Sequence, residues 1–208
     1  MSGRLDRNIF IIIEGIDGTG KTTIAKQLAE EINGQYIKSP PPPFDKIKQH
    51  VLETATPMAR FTYFLCSNIQ LSVLAKTLLS KSHVVADRYV WSTVAYHAAI
   101  ERLSVRTPIK LIASFRKFLL MPDLVIFLTV QRQVQLTRIK KRSDNSLQRG
   151  LLLSNEFQLR LMKAYRDVEE LFEVPLLRID TTNKSISAII DIIKGALRIR
   201  GWFPAKRN

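Results

Sequence analysis

The sequence predicts an α/β protein of three layers, α/β/α, with a five-stranded parallel sheet in the middle. Three observations carry that prediction. Short runs of β-branched and apolar residues recur at 9–14, 35–38, 83–87, 124–130 and 176–180. Stretches with helical character separate them, among them 21–33 and 68–80; in the first, Ile24, Leu28 and Ile32 mark one face with polar residues opposite. Runs such as IFIII (9–13) are continuously apolar instead of alternating, as strands covered by helices on both faces require.

The bulk numbers set the limits. A chain of 208 residues with 46% apolar and 24% charged residues reads as one folded domain, 1–208. No apolar run is long enough to span a bilayer, and the N-terminus MSGRLDRN lacks the apolar centre of a leader, so no membrane partner is expected. A single cysteine, Cys66, excludes a disulfide framework or a cysteine metal site and fits a reducing, cytoplasmic compartment. His50, His83 and His97 show no ligand spacing. The formal charge of +14 favours an anionic partner: nucleic acid, a membrane surface or phosphorylated metabolites. Because the cations are spread along the chain, a dedicated nucleic-acid patch is not expected. Four prolines in SPPPPF (39–44) predict a rigid loop after the second strand, and Gly201 and Pro204 in the basic tail predict a frayed end.

The first strand runs directly into Gly15-Ile16-Asp17-Gly18-Thr19-Gly20-Lys21-Thr22, followed by Thr23, which fits G-x-x-x-x-G-K-[ST] in its required setting between strand and helix. Glycines let successive backbone N–H groups turn toward phosphate oxygens, and the following helix adds the positive end of its dipole. Lys21 supplies a mobile cation for the β- and γ-phosphates, and the Thr22 hydroxyl suits Mg²⁺. The motif predicts an ATP-type site in a P-loop fold.

A second run, HVVADRYVWSTVAYHAA (83–99), ends its strand on Asp87-Arg88. A carboxylate at the end of a neighbouring parallel strand lies by the crevice, where Asp87 is a candidate for Mg²⁺ or for a helix cap. Arg88 offers a fork for a second phosphate.

Together, IIIEGIDGTGKTT, VVADRYVWSTVAY and MPDLVIFLTV, in that order, resemble the thymidylate kinase family, and more loosely the nucleoside monophosphate and deoxynucleoside kinases. FQLRLMKAY (157–165) keeps Phe157, Arg160 and Tyr165 of a family helix, so the resemblance runs from residue 9 to about 197. It implies transfer of the ATP γ-phosphate to dTMP with Mg²⁺, a helical lid over about 138–155, and pairing into a homodimer. The stretches VWSTVAYHAAI and FTYFLCSNIQLSVLAKTLL are the candidate dimer surfaces. It places Asp17 against the acceptor sugar or the phosphates, Asp87 by Mg²⁺ and Arg88 on the acceptor phosphate. Ser92, Tyr96 and His97 fall along the acceptor. Gly18 places the chain with members that take a catalytic cation from the lid. Here RIKKRSDNSLQR (138–149) offers Arg138, Lys140, Lys141, Arg142 and Arg149, with Arg142 and Arg149 preferred.

The acceptor side departs from the pattern. Where relatives follow strand two with Arg-Glu-Pro-Gly-Gly, this chain has Lys38-Ser39-Pro40-Pro41-Pro42, so Lys38 keeps the charge without the fork. Aligned on Asn68, Ile69 stands where an arginine reads the base; Phe64 or Phe61 would stack on it, and Gln70 or Asn68 would hydrogen-bond. A different pyrimidine monophosphate is therefore an alternative acceptor. A deoxynucleoside kinase is a second alternative, although the acid such enzymes place after strand two is here Lys38-Ser39. From another class come a nucleotide-binding regulator and a nucleic-acid-associated ATPase.

Overall fold

The computed structural model describes residues 7–141 and 148–202, the side chains of 148 and 149 excepted. Its strands are β1 (Phe10–Gly15), β2 (Gln35–Lys38), β3 (Val84–Asp87), β4 (Leu124–Thr129) and β5 (Leu176–Asp180). All neighbours pair in parallel, in the order β2-β3-β1-β4-β5. Each overlaps a run expected to be a strand, with β1 reaching one residue beyond 9–14.

The α-helices are α1 (Lys21–Glu31), α2 (Lys48–Thr54), α3 (Pro57–Leu79), α4 (Val90–Glu101) and α5 (Arg106–Ala113), then α6 (Arg132–Lys140), α7 (Gln148–Leu153), α8 (Asn155–Leu171) and α9 (Ile186–Ile199). β1 shows why the layers form. Phe10 and Ile12 enter a core with α3, α4 and α8, while Ile9, Ile11 and Ile13 enter one with α1 and α9. With side chains alternating and both faces covered, every position of the strand is buried.

Two expectations are corrected. The helix expected at 68–80 begins at Pro57, eleven residues earlier. Pro57 occupies its first turn, where a missing N–H costs nothing, and Thr56 before it is extended (ψ 159°). The tail is ordered through Trp202. Gly201 takes φ 68° and donates to the Arg198 carbonyl, Trp202 donates to the Leu197 carbonyl, and the indole packs on the α1/α9 core. Residues 203–208, with Pro204, lie outside the described residues. No helix among those described is long and apolar enough to cross a membrane.

Candidate active site

The register places the site. Ile13 of β1 lies opposite Asp87 of β3, and Asp87 opposite Lys38 of β2, so three strand ends open on one edge. β1 leaves the middle of the sheet there and becomes the glycine loop. Gly15, at φ 135°, runs so close to β4 that an added Cβ would lie 2.3 Å from the Leu128 carbonyl oxygen. Gly18 (φ 85°) passes over α6, and Gly20 (φ 93°) caps α1 in the left-handed region.

In this loop Lys21 is buried and donates to the Ile16 carbonyl at 2.6 Å, and the Thr19 hydroxyl donates to the same oxygen at 3.0 Å. Burial pushes the Lys21 ammonium down to about 7, and the charge of Arg88 acts the same way. Thr22 Oγ1 donates to Asp87 Oδ2 at 2.5 Å. Asp87 Oδ1 is buried with no hydrogen-bond partner, and so is the hydroxyl of Tyr36, which burial and the Asp87 charge push up to about 12. A hydroxyl beside a carboxylate with one unused oxygen is a hard-oxygen donor set that fits Mg²⁺. Thr23 is exposed on α1. No group of three or more His, Cys, Asp or Glu residues that could hold a metal occurs among those described.

Arg88 joins this half of the site to the next. It adopts φ 71°, a left-handed value for a non-glycine residue. Its Nη2 donates to Asp17 Oδ1 at 2.7 Å and its Nη1 to Ser92 Oγ at 2.9 Å. The Tyr96 hydroxyl donates to Asp17 Oδ2. Burial alone would raise the Asp17 carboxyl, but the charges of Arg88 and Lys21 and the Tyr96 bond hold it well below the usual carboxylate range. Beneath them lies Glu14, fully buried, accepting from the Tyr89 and Ser92 amides at 2.8 and 3.1 Å and from the Ser92 hydroxyl. It ties the start of α4 to β1, while burial pushes its carboxyl upward.

Asp17, Arg88, Ser92 and Tyr96 open onto a cavity also lined by Ser39, Phe61, Phe64, Thr93 and His97. Both aromatic candidates on α3 therefore reach it. The His97 ring packs on Phe61 at 4.6 Å, and burial lowers its pKa. Asn68 stands behind the wall, fully buried: its Nδ2 donates to Thr93 Oγ1 at 2.8 Å and its Oδ1 accepts from Ser39 Oγ at 3.4 Å. Neither Ile69 nor Gln70 lines the cavity. Lys38 does not either. It opens, with Tyr36 and Pro40–Pro42, onto a neighbouring hollow. Lys48 of α2 borders both spaces, its pKa lowered by burial and by the cations Arg88 and Lys38. Arg60, paired with Glu101 at 3.7 Å, lines the far end.

Of the lid candidates, Arg138 is engaged with the loop itself. Its guanidinium donates to the Gly18 carbonyl and to Thr181 Oγ1, both at 3.2 Å. Gln135 Nε2 donates to the Asp17 carbonyl at 2.8 Å, and Thr181 Oγ1 to the Thr19 carbonyl at 3.1 Å. These three side chains occupy the carbonyls of Asp17, Gly18 and Thr19 and so tie the loop to α6 and to the residue after β5. Arg142 and the side chain of Arg149 lie outside the described residues.

Sequence reasoning did not single out Glu14, Lys48, Gln135 or Thr181. Their roles depend on partners far along the chain, up to 162 positions away for Thr181, and no spacing signals them.

The arrangement has known counterparts. The thymidylate kinase family model matches residues 13–191. The probable thymidylate kinase of Methanocaldococcus jannaschii is 30% identical over 197 residues, covering 92% of this chain and 96% of that one. The solved thymidylate kinase of Candida albicans superimposes with a TM-score of 0.76 at 20% identity, over 94% and 93% of the two chains. The deoxyadenosine kinase of M. mycoides does so at 0.68 and 22% identity, over 92% of this chain and all of that one. These structural likenesses establish the P-loop kinase fold, and the sequence match establishes kinship and an ATP-dependent phosphotransferase. The chain belongs to the thymidylate kinase family.

Proposed function

We propose that this chain transfers the γ-phosphoryl group of ATP to the phosphate of dTMP, giving dTDP and ADP. The observation that carries this reading is Arg88, set between the glycine loop and the aromatic cavity, with Lys48 bordering that cavity. Two cations there suit an acceptor that already bears a dianionic phosphate. An anionic acceptor oxygen needs no general base; Asp17 is occupied by Arg88 and Tyr96, Glu101 is paired with Arg60, and Ser39 stands where a hydroxyl kinase needs an acid.

Base recognition is supported by the polarity of the wall. Asn68 donates to Thr93, so the Thr93 hydroxyl proton is free to meet a ring carbonyl. Ser39 donates to Asn68, so its lone pairs are free for a ring N–H. Phe61 and Phe64 supply stacking surfaces.

In the transfer, Lys21 moves its charge from the Ile16 carbonyl to the incoming β- and γ-phosphates. Thr22 and Asp87 would hold Mg²⁺, which neutralises charge on the phosphate oxygens. Arg88 aligns the acceptor phosphate in line with the γ-phosphorus, and closure of the 138–155 lid, with Arg142 and Arg149, excludes water. A homodimer would pair through α3, where Met58 and Val73 are exposed; α4 is almost wholly buried within the protomer.

The test is ADP release from Mg-ATP against dTMP, dUMP, UMP, CMP, AMP and GMP, with thymidine and deoxycytidine as hydroxyl acceptors. Preference for dTMP supports the proposal. Preference for another pyrimidine monophosphate would assign His97, with Ser39 and Thr93 of the same wall, to altered base choice, and turnover of nucleosides alone would refute it.

A further inference from the structure

Two buried polar atoms beside the phosphate loop stand without partners. Among the described residues three buried side-chain atoms lack a hydrogen bond, and two of them are the Tyr36 hydroxyl and Asp87 Oδ1. The phenol carries a proton to donate, and a carboxylate oxygen can only accept. Burial and the Asp87 charge push the Tyr36 hydroxyl up to about 12, the mark of a carboxylate close by.

The sheet explains why the two meet. Tyr36 of β2 lies opposite Val85 of β3, and Lys38 opposite Asp87. Side chains alternate along a strand, so Tyr36 and Asp87 share one side of the sheet. It is the side of α1 and α9: Val85 enters that core, and the Tyr36 ring packs against it. Lys26 Nζ stands 5.6 Å from the centre of the same ring. Lys26 lies one turn beyond Thr22 on α1, so the helix that carries the Thr22 hydroxyl also holds the tyrosine in place. Packing asks only for the ring. A phenylalanine would fill the space without burying an oxygen that has no partner.

We infer that Tyr36 is a positioning residue for the cation site: its hydroxyl engages Asp87 Oδ1 and sets the plane of the carboxylate, whose Oδ2 in turn takes the Thr22 proton. The inference rests on the Mg-ATP half of the reading above and is independent of the acceptor. With its proton held by Asp87, Thr22 Oγ1 has its lone pairs left for a divalent ion. Without the tyrosine, nothing on the Oδ1 side fixes the carboxylate, and both donors lose their aim. Groups that hydrogen-bond to a ligating carboxylate from outside the ligand set are worth about 10- to 100-fold in metal affinity.

The experiment is calorimetric titration of the full chain with a non-hydrolysable ATP analogue, once in excess Mg²⁺ and once in EDTA. Tyr36→Phe keeps the ring and removes the oxygen. Its affinity in Mg²⁺ should fall by about tenfold, the lower end of that range for one neutral donor. Its affinity in EDTA and its thermal melt should match the parent. Asp87→Ala removes the carboxylate through which the tyrosine acts, so adding Tyr36→Phe to it should cost nothing further in Mg²⁺. The inference is overturned if Tyr36→Phe binds like the parent in Mg²⁺, or loses as much in EDTA, which would make the hydroxyl a support of the loop alone. A tenfold loss that persists in the Asp87→Ala background also overturns it. A parent whose affinity ignores Mg²⁺ would refute the metal reading of Thr22 and Asp87 and this inference with it, leaving the choice of acceptor to the panel above.

Discussion

Asp17 and Arg88 form an ion pair at 2.7 Å that spans the two halves of the site, one residue from the phosphate loop and one from the end of β3. With the Tyr96 hydroxyl on its other oxygen, Asp17 is a clamp for Arg88 instead of a base. Asp17→Asn keeps the shape and removes the charge. It should raise KM for the acceptor by about tenfold, the scale of one charge-assisted bond, and change KM for ATP less. Equal loss toward both substrates would show that the carboxylate serves the loop as a whole.

Arg88→Lys should be more damaging to the acceptor than to ATP. A lysine retains charge but cannot bond Asp17, Ser92 and a phosphate together. A fall in kcat/KM for the acceptor of about a hundredfold is expected, consistent with about 3 kcal/mol of lost alignment. Steady-state kinetics with each substrate varied in turn would check it.

Lys21 links nucleotide binding to pH. Its folded pKa is about 7 in the phosphate-free loop, below the ordinary lysine value of about 10.4. Between those values the unfolded chain holds the extra proton, so the lysine's contribution makes the free protein more stable as pH rises. A bound phosphate restores the charged form. Calorimetry of Mg-ATP binding at pH 8, in buffers of differing ionisation enthalpy, should therefore show proton uptake that vanishes below pH 6. Lys21→Met should abolish it. Buffer-independent heats in the parent would show that the lysine is fully charged beforehand.

Gly15→Ala should disable the site without touching any substrate. Its added methyl would lie 2.3 Å from the Leu128 carbonyl oxygen, and its φ of 135° is strained for alanine. Either β1 and β4 separate or the loop shifts. A thermal melt together with nucleotide affinity should show both reduced.

Glu14→Ala should be among the costliest single changes. It strips the Tyr89 and Ser92 amides and the Ser92 hydroxyl of their common acceptor inside the core. About 3 kcal/mol of stability is expected, equivalent to a fall in Tm of roughly 10 °C for a chain of this size. An unchanged melt would mean that water replaces the carboxylate.

What could be read from the sequence was whatever depends on neighbours in the chain. The strands are legible because burial on both faces makes them uniformly apolar, and the phosphate loop because its glycines, Lys21 and Thr22 lie within eight positions. The start of α3 was missed because Phe61, Tyr63 and Leu65 are buried at strand-like intervals inside a helix. The acceptor wall was only half legible. Phe61, Phe64, Ser92 and Tyr96 sit on two helices whose positions are fixed locally, but the roles of Asn68 and Ser39 come from a contact across 29 residues. Lys38 and Lys48 show the same limit from the other side. Only the fold decides that the second of these cations borders the cavity.

The most direct measurement is ³¹P NMR of the products formed from Mg-ATP and dTMP. Appearance of dTDP resonances in step with ADP, without inorganic phosphate, is the expected result. Release of inorganic phosphate with dTMP unchanged, or formation of dTMP from added thymidine while dTMP itself is inert, would contradict it.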